Sequence, residues 1–337
     1  MFALAGGLEP DTMREVAERA YAEMARAGYG AVGEFHYVHH QPDGRPYAEP
    51  NAMAFALAEA ASAVGLRIVL LPAAYHRNGW DRGDREPEPG QRRFCDPDVD
   101  TFLGRVDALA SWARSRPGVE VGIAAHSVRA VPADWLEAIG EFARSRGMVH
   151  HVHAHEQPRE LAECAAEHGC TPIELLEARG FLGATTTIVH GTHVSDRDIA
   201  ILAQTATIVA ACPTTEGNLG DGFIPAMRYQ DAAVRLAVGS DSNVRIDPFE
   251  EARELETTAR RQALSRSALL ARSGDLWGAL HRAGLASLGL ASSGGVRIDV
   301  DHPDLRGVAP EDLRYALATC ASAGVVTELV PGELAGV

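Results

Sequence analysis

The chain carries 14 histidines, and nine of them fall into three tight groups: His36, His39 and His40; His150, His151, His153 and His155; His190 and His193. In HVHAHE, strand alternation points His151, His153 and His155 to one face, and His153 with Glu156 makes an HxxE pair. A neutral imidazole is a good zinc ligand. A carboxylate three residues on, just past a strand end, can reach a metal-bound water. A His-rich solvated strand is the bland alternative. VHGTH places His190 at a strand end, where a lone histidine is more often structural than catalytic. VGSDS places Asp241 at the end of a buried strand, where a carboxylate is costly unless paired or bound to metal; its alternative role is an N-cap for the next helix. AHSVRAV presents His126 and Arg129. An Arg at a pocket rim suits a carboxylate through its bidentate fork, and a surface ion pair is the alternative.

Singly these signals are weak, and their positions along the chain give them weight. The sequence repeats strand, loop and helix. Apolar runs at residues 67–75, 119–127, 185–193, 206–213 and 235–242 read as buried parallel strands, and 29–40 and 149–156 read as two more. Helical periodicity fills most intervals between them. His36, Tyr37, His126, His153, Glu156, His190 and Asp241 all fall at C-terminal strand ends, which in a barrel form the active-site rim. A doubly wound open sheet requires a Gly-rich phosphate turn after the first strand, and none is present. The expected architecture is α/β: a (β/α)8 TIM-type barrel with seven of its eight units visible and the first strand missing. Residues 1–291 form this barrel. Residues 292–337 change character and read as a remnant of a small β-sandwich. His, Asp, Glu and Arg on one rim point to metal-assisted hydrolysis.

Composition narrows the partners. With 337 residues and 46% apolar content, a sizeable core can form. The formal charge of -15 disfavours a phosphate backbone, so nucleic acid is excluded as a partner. All 31 basic residues are Arg, which excludes Schiff-base lysine and P-loop chemistry. No run of 18 apolar residues suggests a membrane span, and the first residues lack the features of a signal peptide. Five scattered cysteines suggest reduced thiols and a cytoplasmic protein. The loop at 77–97 is either a lid, with Arg92 or Arg93 facing a carboxylate, or a solvated arginine loop.

The order of EFHYVHH, GQRRF, HSVRAV, HVHAHEQ, HGTH, CPTTEGNLGDG and GSDSN resembles the deaminase branch of the amidohydrolase superfamily, and within it the formimidoylglutamate deiminases. CPTTEGNLGDG together with EFHYVHH is specific; GSDS or HGTH alone is generic. The resemblance implies hydrolytic deimination of N-formimino-L-glutamate to N-formyl-L-glutamate and ammonia, a step of histidine degradation. It implies His153 and Asp241 as ligands of Zn2+ or another divalent first-row metal. By the same resemblance Asp241 also accepts the water proton, Glu156 shuttles protons, and His190 polarises the substrate or stabilises the tetrahedral intermediate. Tyr37, His126 and Arg129 hold the glutamate part of a carboxylate-bearing small molecule. A homodimer is implied as well. Alternatives are deamination of another amidine or of an aminoheterocycle such as guanine, and a non-catalytic barrel that binds an acidic metabolite or a partner chain. The low aromatic fraction, 6%, argues against a stacked ring substrate.

The family's first strand carries an HxH pair of metal ligands, and no such pair precedes EFHYVHH. Adjacent His39 and His40 suit chelation poorly as replacements. The expectation is an ordinary enzyme whose start was assigned too late, or a fragment of one; a shortened, inactive protein is the alternative. A barrel lacking one strand exposes two edges. On this reading the purified chain aggregates on mild heating, and a sharp, reversible melt of a monodisperse sample contradicts it.

Overall fold

The computed structural model describes residues 5–79 and 86–330, and all seven expected strands are there. They are β1 (Ala31–His36), β2 (Arg67–Ala74), β3 (Val119–Val121) continued by β4 (Ile123–Ser127), β5 (His150–Ala154), β6 (Thr186–His190), β7 (Ile208–Ala211) and β8 (Arg235–Val238). The third expected strand is split at Gly122. A Cβ there would lie 2.7 Å from the Val149 carbonyl oxygen and 2.8 Å from the Leu71 side chain, so only glycine lets the backbone pass.

The chain divides into two compact units. The first takes the described residues up to Ala22, with Ala31–Ala154 and Arg159–Leu182. In it β1 pairs parallel with β2, β2 with β3 and β4, and β4 with β5. Seven of the eight residues of β2 are buried, the mark of a parallel strand covered on both faces. The second unit takes Glu23–Gly30, His155–Pro158 and the chain from Gly183 onward. Here β6, β7 and β8 are parallel neighbours. The tail adds an antiparallel pair, β9 (Gly295–Ile298) with β10 (Val326–Val330). The helix Leu313–Thr319 packs beside it through Ala316 and Leu317, in a cluster that includes Phe249 and Val325.

Parallel connections require helices that begin and end on cue. Thr171 and Ser195 cap the helices Pro172–Ala178 and Asp196–Gln204 through reciprocal bonds with Glu174 and Asp198. Asp247 caps Pro248–Ala263 by accepting the amides of Phe249 and Glu250. Among the described residues no helix is long and apolar enough to cross a membrane.

A buried polar node supports the loops after β1 and β2. Asp96, 1% exposed, accepts from Arg105 at 2.7 and 3.3 Å and pairs with His40 at 3.2 Å. Burial opposes the charge of Asp96, but His40 and Arg105 outweigh it and hold the carboxyl below its ordinary range. Arg93, also 1% exposed, donates to the carbonyls of His40, Leu8 and Ala5. Arg93 therefore clamps backbone, and the lid role sketched for it is not what this side chain does. Part of that loop, residues 80–85, lies outside the described residues, as do 1–4 and 331–337.

Two stability measurements follow. Asp96→Ala leaves the Arg105 charge buried and uncompensated, and urea unfolding should show a loss of about 3–5 kcal/mol. Glu34 accepts the Tyr21 hydroxyl at 2.9 Å; burial lifts its carboxyl to about 7 from an ordinary 4.5, against the lowering effect of that bond. A raised acid binds its proton more tightly when folded, so its contribution to stability falls between these two pH values and is level above them. Glu34→Gln should flatten that fall and be more stable than the parent at about pH 8, read by urea unfolding at both ends of the window.

Candidate active site

In the first unit the strand ends converge on an aromatic and imidazole group. His126 on β4 lies with its ring centroid 5.1 Å from Tyr37, 4.7 Å from Tyr75 and 5.2 Å from His153 on β5. Phe35 packs 4.2 Å from His153. The structure thus brings together Tyr37, His126 and His153. Nδ1 of His153 sits 2.9 Å from the His126 carbonyl. A carbonyl can only accept, so this nitrogen carries the proton and the lone pair is on Nε2, the tautomer a metal ligand needs. Burial, then the neighbouring His153 and Arg129, hold His126 well below its ordinary pKa, so its ring is neutral. Tyr75 is 6% exposed, and its hydroxyl accepts from Gln91 Nε2 at 3.0 Å. Arg129 follows β4, half-buried, and no carboxylate among the described residues pairs with it.

In the second unit Glu156, His190 and Asp241 gather with Glu216. His190 ends β6 at φ 76° and is buried; its Nε2 lies 3.8 Å from Glu156 Oε1 and its Nδ1 3.4 Å from Glu216 Oε1. Burial works against the imidazolium, but Glu216, Glu156 and Asp241 outweigh it and raise the pKa above the ordinary value. The CPTTE motif is a bracket between strand ends. Cys212 N–H donates to Glu216 at 2.8 Å, Thr214 donates its amide and hydroxyl to Glu251, and Thr215 Oγ1 donates to the Ser240 carbonyl at 3.1 Å. Thr215 also accepts the Ser242 amide, so it holds both sides of Asp241. The Cys212 thiol is pushed well above its ordinary pKa by burial and then by Asp241, Glu216 and other carboxylates.

The donor set of the second unit includes His190, Cys212 and Glu216, with ligand atoms within 4.8 Å of one another. These three fit a metal poorly: the thiol is held protonated, and one Glu216 oxygen already serves the Cys212 amide and His190. Taken singly, the Nε2 lone pair of His153 in the first unit and the exposed carboxylate of Asp241 in the second are better donors.

Three sequence expectations change. The alternation over His151, His153 and His155 stops at Ala154, because His155 has φ 60° and its Nδ1 donates to the His193 carbonyl at 2.6 Å. Asp241 is exposed rather than buried, so desolvation gives no reason for it to need a partner; the helix cap assigned to it as an alternative belongs to Asp247. The aromatic content is low overall but concentrated, with Phe35, Tyr37, Tyr75 and Phe94 in one group. Tyr75 and Glu216 were missed as site residues. Tyr75 ends the β2 run like the other rim residues, and that position was the available signal.

The amidohydrolase family model matches residues 3–274. The chain belongs to the amidohydrolase family. Among its relatives, a formimidoylglutamate deiminase of Pseudomonas aeruginosa is 34% identical over 269 residues, 80% of this chain and 58% of that protein. The chain spans little more than half the length of the curated relatives it matches. A crystal structure of an amidohydrolase from Brucella melitensis is similar with a TM-score of 0.87 and 31% identity, covering 99% of this chain and 78% of that one. An adenosine deaminase from Xanthomonas campestris, crystallised with bound zinc, shares the fold at a TM-score of 0.78 and 22% identity, covering 97% and 70%. The α/β, TIM-barrel-like architecture expected from the strand pattern is therefore that of this amidohydrolase.

Proposed function

We propose that this amidohydrolase hydrolyses the C–N bond of a linear amidine, N-formimino-L-glutamate, releasing ammonia and N-formyl-L-glutamate. The observation that carries this reading is Arg129. A half-buried guanidinium beside Tyr75 and His126, with no carboxylate of its own among the described residues, is a receptor for a carboxylate from outside. The 34% identity to a formimidoylglutamate deiminase supports the same substrate.

On this reading Arg129, Tyr37 and His126 bind the glutamate end. His153 and Asp241 would be ligands of Zn2+ or a similar divalent ion, which when bound would lower the pKa of water to about 7 and make a nucleophile available at neutral pH. Asp241 accepts the proton that the attacking water loses. Glu156 carries a proton to the formimino nitrogen, so that it departs as ammonia. His190, beside Glu156, polarises the substrate or stabilises the tetrahedral intermediate.

The test is ammonia release from N-formimino-L-glutamate by the zinc-loaded chain, with Glu156→Gln as control. Release well above the control is expected. Arg129→Gln should raise KM roughly 10- to 100-fold with a smaller effect on kcat, the pattern of lost uniform binding of a charge-assisted bond. A parent no faster than the Glu156→Gln control overturns the reading.

A further inference from the structure

Glu216 has no role in the reading above, although it is one of the most buried carboxylates of the second unit, at 2% exposed. It stands on the short helix Pro213–Leu219. One of its oxygens, Oε1, meets two groups: the backbone amide of Cys212 at 2.8 Å and Nδ1 of His190 at 3.4 Å. The amide bond fixes where the carboxylate is, because it ties the side chain back to its own helix start at the end of β7. The contact with His190 then fixes the ring on the neighbouring strand. His190 needs such a hold. Its backbone is in the left-handed region, which a β-carbon disfavours, and its other nitrogen lies toward Glu156 at 3.8 Å.

We propose that Glu216 is a positioning residue: its carboxylate accepts the Nδ1 proton of His190 and so holds the ring with Nε2 on the Glu156 side. An acceptor-only carboxylate oxygen bonds Nδ1 only when that nitrogen carries a proton, in the neutral ring and in the imidazolium alike. The inference rests on the proposed role of His190 in deimination, and it gives the CPTTE segment a function beyond its hydrogen bonds to Ser240 and Glu251. Glu216 acts through His190 and touches no substrate.

Glu216→Gln keeps the shape and can keep the Cys212 contact, so it is the variant that decides; Glu216→Ala removes both contacts. Imidazole 15N and 1H NMR of His190, identified by difference from His190→Asn, reads the proton position without any substrate. The parent is expected to show a proton on Nδ1. In Glu216→Gln that resonance should shift, and in Glu216→Ala it should give way to a mixture of tautomers. In the ammonia assay kcat should fall roughly 10- to 100-fold, the scale of losing a histidine's orienting partner, least in the Gln variant, with KM within about twofold. A His190 signature unchanged in Glu216→Gln overturns the proposal, whatever happens to turnover. A parent inactive on N-formimino-L-glutamate overturns the substrate reading instead, and the NMR result still decides the role of Glu216.

Discussion

At three strand ends the chain turns away through a left-handed residue that is not glycine: His155, His190 and Asp241, at φ 60°, 76° and 46°. Each such residue costs roughly 1–3 kcal/mol and persists only where its surroundings over-determine it. The surroundings do so here. The His155 carbonyl accepts the amides of Thr192 and His193 at 2.9 and 3.0 Å. Glu216 grips His190, and Thr215 brackets Asp241. Much of the motif sequence around the site serves this one purpose. Gly191 beside His190 belongs to it as well, since a Cβ there would lie 2.7 Å from the Tyr229 hydroxyl.

Each unit has its own electrostatic character around its strand-end residues. The group around His126 is neutral and aromatic, with the charge of Arg129 set in it. The group around His190 is acidic, with Glu156, Glu216, Asp241 and Glu251 acting on His190 or Cys212. A neutral wall with one fixed cation selects an anionic ligand end; a cluster of carboxylates favours cations and protons in motion.

The strands were legible in the sequence because parallel strands covered on both faces read as unbroken apolar runs, as β2 does. The strand-end positions of Tyr37, His126, His153, Glu156 and His190 were legible for the same reason. What failed was local geometry. Alternation is a rule for extended backbone, and it lapses where His155 leaves the strand. The burial expected of Asp241 came from the apolar residues before it, but the turn carries its side chain to solvent. Glu216 was invisible because its meaning depends on β6 and β7 lying side by side, which spacing along one chain does not encode. Arg93 read either as a lid residue facing a carboxylate or as part of a solvated loop, because nothing in GQRRF reveals three backbone carbonyls waiting for it.

The state of Cys212 has a chemical consequence of its own. Alkylating agents, peroxides and disulfides attack the thiolate rather than the thiol. With burial and a ring of carboxylates holding the sulfur protonated, this cysteine is nearly inert although it adjoins the His190 cluster. Its thiol is thus shielded by burial and by charge, whereas Cys320 is exposed.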